Sequence, residues 1–250
     1  LIQTPDVNLL IDAGKNARAL TRALAQVGIA PECINAVFIT HEHRDHTAAL
    51  PVFLKQNPIP VHITAASRRA LRIDLCEEQC GLFVVHPPLY TETFGSTTIT
   101  SFPLSHDSRA CVGYRIVTKT ERGAFTIGFA TDMGVADETV YRNLLGCDAV
   151  VMECNHDTEM LFEGPYPFDL KERIASRYGH LCNRDAAELA AALQESGTRA
   201  IMLAHLSENN NLPDLAFGEV RAALGDNGTV LAVACPDCPV ELTLPSFSEV

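Results

Sequence analysis

The 250-residue sequence is 47 % hydrophobic and 20 % charged, with nine cysteines and a formal net charge of −12. That composition excludes a disordered chain and a disulfide-stapled miniprotein, and no apolar run approaches the ~20 residues a membrane-spanning helix needs. The acidic balance argues against an extended non-specific nucleic-acid surface, yet it leaves room for a nucleic-acid enzyme whose site carries its own cations.

Residues 7–11 read as a buried strand ending at Asp12-Ala13-Gly14, and Asn16 can cap a helix that runs to about residue 27, with Gly28 as its stop. A strand follows over 36–40 and a helix over 47–56, broken by Pro58 and Pro60. A strand over 61–64 leads into a helix over 65–75, and strands dominate from 82 to 130 with turns at Pro87-Pro88, Gly95 and Arg122-Gly123. Beyond lie a helix over 137–145, a strand over 149–153, and a loop rich in Gly, Pro and aromatics through Gly164-Pro165-Tyr166-Pro167-Phe168. Asn183 can cap a helix over 184–195. A strand over 200–204, a helix near 217–224 and strands over 229–234 and 240–244 complete the chain. No fixed-period repeat and no linker interrupts the pattern. It describes a mixed α and β chain, expected to be a single domain over residues 1–250. The opening Leu1 falls in or near a strand, so an N-terminal strand or processed segment is expected to be missing.

Chemistry concentrates where strands end. Thr40-His41-Glu42-His43-Arg44-Asp45-His46 follows the apolar run Ala36-Val37-Phe38-Ile39 and offers His41, His43, Asp45 and His46 as metal ligands. His106, Asp132 and His205 each follow a short apolar run rich in β-formers. Sheet folds commonly place their chemistry at one set of strand ends, so these groups can converge on one site. Three His and one Asp would serve one open zinc; seven ligands imply two ions.

The pattern His-x-His-x-Asp-His followed by a distant His, Asp and His resembles the metallo-β-lactamase-fold hydrolases over nearly the whole chain. The resemblance implies a four-layer αββα sandwich of two mixed β-sheets. It implies that His41, His43 and His106 hold one divalent ion, that Asp45, His46 and His205 hold a second, and that Asp132 bridges them. A bridging carboxylate belongs to the thioester and phosphodiester hydrolases of the fold, not to its true β-lactamases. Zinc and manganese both suit the donor set. Two such ions share a water whose hydroxide attacks, with Asp45 orienting it.

His180, in Gly179-His180-Leu181-Cys182-Asn183, resembles the histidine of the tRNA 3′-processing endonucleases of this fold, which protonates the leaving group; Glu153 matches its carboxylate partner. The segments Glu153-Cys154-Asn155-His156-Asp157, Gly179–Asn183 and His205-Leu206-Ser207-Glu208-Asn209-Asn210 look like the YycJ/WalJ-type, exonuclease-like subgroup. Cys182 stands where the subgroup usually has Ser, and its Gly/Ser-rich N-terminal loop would precede Leu1. Asn155, His156 and Asn209 are further substrate-binding candidates beside these motifs. The expected activity is dinuclear, metal-dependent phosphodiester hydrolysis of nucleic acid, DNA before RNA. Two alternatives stand beside it: a small-molecule hydrolase acting on a thioester, lactone, cyclic phosphodiester or, last, a β-lactam, and a non-hydrolytic protein, either a redox protein using an iron pair or a regulatory module that merely holds metal.

The remaining signals are weaker. The odd cysteine count, with several in apolar settings, points to a reducing cytoplasm. Cys235-Pro-Asp-Cys238 has no second Cys-x-x-Cys to complete a zinc site and reads as a surface turn. His62 and His86 read as structural. Arg68, Arg69 and Arg72 read as a solvated helix face; Lys171, Arg173 and Arg177 form a second basic group. No membrane partner is expected.

Overall fold

The computed structural model describes residues 1–121, 123–226 and 228–242. They gather into two compact units, one of Leu1–Pro103 with Ser108–Val112, the other of Leu104–Asp107 with the described residues from Gly113 onward.

In the first unit, β1 (Ile2–Gln3), β2 (Asn8–Ile11), β3 (Ala36–Phe38), β4 (Val61–Thr64) and β5 (Phe83–His86) form a five-stranded sheet in chain order. β1 pairs antiparallel with β2, and the rest run parallel, with Leu10 opposite Val37 and Val37 opposite Val61. Parallel neighbours need crossover connections, and helices supply them. The crossover from β2 to β3 is α1 (Ala17–Gln26), whose first turn is capped by Asn16 as expected, the amide oxygen accepting from the Ala19 N–H at 2.9 Å. Between β3 and β4 lie α2 (Arg44–Thr47) and α3 (Leu50–Gln56). The sequence suggested one helix over 47–56; instead the Asp- and His-bearing segment before it makes a helical turn of its own, and Pro51 sits in the first turn of α3, where a missing N–H costs nothing. The helix expected over 65–75 stops at Ala70 as α4 (Ala65–Ala70), and α5 (Glu77–Cys80) follows separately. Leu10, Val37, Ile39, Leu50, Phe53, Val61 and Ile63 are among the buried side chains that join sheet and helices. The hairpin β6 (Thr91–Phe94) and β7 (Thr97–Pro103) turns at Gly95, whose φ of 57° suits glycine, and Phe94 packs edge-on against Phe38.

In the second unit the order is β12 (Val230–Val233), β11 (Ala200–Ala204), β10 (Ala149–Glu153), β9 (Gly123–Ala130), β8 (Val112–Thr120). β8 and β9 form an antiparallel hairpin, and β9 to β12 run parallel. The crossovers contain α6 (Glu138–Leu144), then α7 (Thr158–Glu163), α8 (Phe168–Ile174) and α9 (Asn183–Glu195), then α10 (Pro213–Leu224). Central β10 is covered on both sides, as a parallel strand is: Val150, Met152 and Glu153 have no exposed surface.

Four local expectations change here. The segment read as a loop after β10 contains α7, capped by Asp157, and α8, entered through Pro167; its Gly and Pro mark only the turn between them. Cys182, not Asn183, occupies the N-cap of α9, because the Asn183 side chain is drawn into bonds with Cys154 and Asn211. α10 begins at Pro213, four residues before the expected 217. Of the strand expected over 240–244, residues 240–242 are not in a strand and the rest lie outside the described residues. Each unit thus contributes a mixed sheet with helices. Among the described residues no helix is long and apolar enough to cross a membrane.

Candidate metal and catalytic centre

In the first unit the ligand candidates follow β3 and occupy the turn of α2. Thr40, His41 and His46 are buried, with the His41 ring centroid 4.4 Å from that of His43 and 4.2 Å from that of His46. Asp45 is exposed at the opening of the turn, its Oδ2 3.4 Å from His46 Nε2.

Sequence reasoning missed the group that orders this turn, Asp12. Its carboxylate accepts from the Thr40 N–H at 2.8 Å, the Thr40 hydroxyl at 2.8 Å and His46 Nδ1 at 2.7 Å. The Thr40 hydroxyl, having donated its proton to Asp12, accepts from His41 Nδ1 at 3.1 Å. One carboxylate at the end of β2 therefore fixes the tautomer of two imidazoles. Asp12 holds a left-handed backbone, φ 61°, a conformation costly without a side-chain or structural reason. The signal was present as a strand-end carboxylate two residues before a glycine, and Gly14 explains the glycine: a Cβ there would lie 1.4 Å from the Asp45 carbonyl oxygen. Ala13 and His46 add a backbone hydrogen bond of 2.8 Å across the same approach.

Among the described non-glycine residues, Asp132 (φ 62°) and His205 (φ 58°) share this conformation. Both are strand-end ligand candidates of the second unit, following β9 and β11. Here Asp132, Glu153, His180 and His205 bring one ligand atom each to within 4.8 Å of one another. His205 Nε2 lies 3.3 Å from Asp132 Oδ1, and His106 Nε2 3.8 Å from the same oxygen. His106 Nδ1 donates to the Gly179 carbonyl at 3.0 Å, and burial holds this histidine below its ordinary pKa despite the pull of Asp132.

Glu153 is the hub of this cluster. Its Oε1 accepts from His180 Nδ1 at 2.8 Å and from His205 Nδ1 at 2.9 Å; its Oε2 accepts from the backbone N–H of Met133 at 2.8 Å and of Leu181 at 3.2 Å. Burial works against its charge, but the charge of His180 and the bonds from His180 and His205 prevail and hold the carboxyl below the ordinary carboxylate range. Burial likewise opposes a charge on His180, and the facing Glu153 carboxylate and its hydrogen bond overturn that, raising the imidazole above its usual value. The His180 side chain keeps 22 % of its surface exposed while that of Glu153 keeps none. Gly179 allows this approach, since a Cβ there would stand 2.1 Å from the Ile174 carbonyl.

The weaker candidates sit around the hub. Asn155 donates to the His205 carbonyl at 2.8 Å and so holds that turn. His156 is 2 % exposed, leaving little surface for a ligand, and burial lowers its pKa. Asn209 is exposed and donates to the Tyr166 hydroxyl at 2.8 Å. His62 and His86 lie elsewhere in the first unit, joined to each other at 2.9 Å. Cys235 and Cys238 are exposed.

The donor chemistry fits divalent ions. His41, His46, His106 and His205 each commit Nδ1 to an oxygen acceptor, which leaves Nε2 as the lone-pair atom a metal takes.

The Beta-lactamase superfamily domain matches residues 7–206. This chain belongs to the metallo-β-lactamase superfamily. It is 32 % identical over 230 residues to "Exodeoxyribonuclease YycJ" of Bacillus anthracis, covering 91 % of this chain and 84 % of that protein. It is 21 % identical over 253 residues to "Ribonuclease Z" of Gemmatimonas aurantiaca, covering 80 % and 76 %. Zn(2+)-bound PqqB from Methylobacterium extorquens shares the fold with a TM-score of 0.68 at 17 % identity, over 96 % of this chain and 84 % of that one. This member of the superfamily is a hydrolytic enzyme of mixed α/β architecture, with two mixed sheets and clusters suited to divalent metals.

Proposed function

We propose that the enzyme hydrolyses phosphodiester bonds in nucleic acid as an exonuclease, with DNA its substrate in preference to RNA. The observation that carries this reading is the Glu153–His180 pair, a buried carboxylate charging a partly exposed imidazole. Hydrolysis of a phosphodiester expels an alkoxide that needs a proton, and an imidazolium with a raised pKa supplies one near neutral pH. A thioester, whose thiolate leaves without a proton, has less need of such a donor. The 32 % identity to an exodeoxyribonuclease, against 21 % to a ribonuclease Z, supports DNA over RNA.

In this reading His41, His43 and His106 would hold one ion, Asp45, His46 and His205 a second, and Asp132 both. Zinc or manganese, when bound, would polarise the phosphoryl oxygens and make water a better nucleophile. The protein's own groups do the rest. Asp45, exposed at the start of its helical turn, orients the attacking water and accepts its proton. His180 keeps Nδ1 on Glu153 and delivers the proton from Nε2 to the leaving oxygen, after which Glu153 favours its reprotonation. Asp12 and Glu153 hold the ligating imidazoles in one tautomer. A reducing, cytoplasmic setting goes with this reading.

The test pairs metal analysis by mass spectrometry with cleavage of end-labelled DNA and RNA, zinc or manganese added back. Stepwise shortening of DNA by the wild type, and its loss in His180→Ala with the metal content unchanged, is the expected result. Unchanged turnover in His180→Ala removes that residue from the mechanism. Bound metal without cleavage of any nucleic acid turns the reading to small lactones and thioesters.

A further inference from the structure

The first unit holds a cavity of about 740 Å³ whose wall includes Glu42, His43, Arg44, Arg69, Arg72 and Arg109. The volume suits a nucleotide-sized ligand. Its arginines come from three places in the chain: the turn of α2, α4 with the second residue past its end, and the segment leading to β8. They are therefore not one solvated helix face, as the Arg68–Arg72 cluster suggested by itself. Arg68, the neighbour on that helix, is turned away over the Phe83 ring at 4.5 Å.

None of these four guanidinium groups has an acidic partner among the described residues, in a chain whose net charge is −12. The one acid of the wall, Glu42, accepts the Arg109 backbone N–H at Oε1 at 2.9 Å while its Oε2 is buried, and its single negative charge is outnumbered by the four guanidinium groups. These exposed arginines line one concavity and give it positive charge, and the planar donor forks of their guanidinium groups match phosphate oxygens in pairs. His43 lines the same cavity, so whatever it holds lies against the ligand-bearing turn.

We infer that this cavity binds a phosphate of the substrate strand next to the bond that is cut, and so sets where cleavage starts. The inference rests on the nuclease reading. The phosphate has two sources, the strand's terminal 5′-phosphate or an internal diester, and both are recognised by the same forks.

The experiment compares wild type, Arg69→Ala/Arg72→Ala and Arg68→Ala on oligonucleotides with a 5′-phosphate or a 5′-hydroxyl. The double variant is expected to raise KM about tenfold or more and to flatten the dependence on salt by about one unit for each phosphate it no longer neutralises. Arg68→Ala, which removes one positive charge outside the cavity, keeps the wild-type KM. Selective loss on the 5′-phosphorylated strand assigns the terminal phosphate, and equal loss on both assigns the internal diester. An unchanged KM in the double variant overturns the inference. If the wild type cleaves no nucleic acid, the nuclease reading fails by itself. Fluorescence anisotropy with the 5′-phosphorylated oligonucleotide under chelation then decides the cavity: weaker binding by the double variant sustains it, and equal affinity refutes it.

Discussion

Glu153→Gln changes one oxygen for an NH2 group without changing volume, so no cavity forms and the effect is confined to hydrogen bonding. Both oxygens of Glu153 accept two donors, His180 and His205 on one, Met133 and Leu181 on the other. Whichever way the amide turns, its NH2 faces two N–H groups in a site with no exposed surface. Each buried donor left unsatisfied costs about 1–3 kcal/mol, and breaking a buried charge pair costs about 3–5 kcal/mol, so a loss of about 3 kcal/mol is expected. That is roughly a hundredfold change in the folded-to-unfolded ratio. The imidazoles can relieve part of it by moving their protons to Nε2 and accepting at Nδ1, but this consumes the lone pair a metal would take. Urea unfolding of the chelated protein and zinc titration therefore read complementary halves of one effect. The wild type also loses stability as pH falls below about 4.5, because the folded Glu153 pKa lies below its unfolded value; that part of the acid limb should be missing in Glu153→Gln. Stability within about 1 kcal/mol of wild type together with unaltered zinc affinity would refute the assignment of Glu153 as the hub.

Asp12→Ala removes the acceptor of two Thr40 donors and of His46 while keeping a β-carbon at φ 61°, and is expected to weaken metal binding about 10–100-fold by titration. Asp12→Gly relieves the backbone but not the lost acceptors, so metal affinity as poor as in Asp12→Ala, with better urea stability, is the expected pair of results; wild-type affinity in either variant contradicts the role given to the carboxylate. His62, stacked on Phe38, is held near pKa 4 by burial and by the charge of His86. A folded pKa below the unfolded value means that protons favour the unfolded chain from about pH 6.5 down to 4, so stability falls across that window. His62→Phe should keep the stacking and show a shallower decline of unfolding midpoint between those pH values; an equally steep decline would place the acid sensitivity elsewhere.

What is local can be read from the residues alone. Val61, Ile63 and Thr64 are β-branched and follow Pro60, Asn16 caps α1 from three residues away, and the candidate ligands at 41–46, 132 and 205 announce themselves because each follows a short apolar run. Those signals act over one turn or one strand, and the structure keeps them. The rest depends on the folded chain and acts across long separations. Asp12 is silent until the chain brings Thr40 and His46, 28 and 34 residues on, against its carboxylate. Glu153 was matched by resemblance to His180, but its second imidazole, 52 residues away, and its two backbone donors belong to the fold. The Arg68–Arg72 cluster looked like one face in sequence, and packing divided it, turning Arg68 onto Phe83 and leaving Arg69 and Arg72 on a cavity wall with Arg109. Residue type and spacing fix which chemistry a segment can offer. Which groups meet, which tautomer each imidazole keeps and which charges are left without a partner depend on burial and on the meeting of distant residues, and no local pattern encodes those.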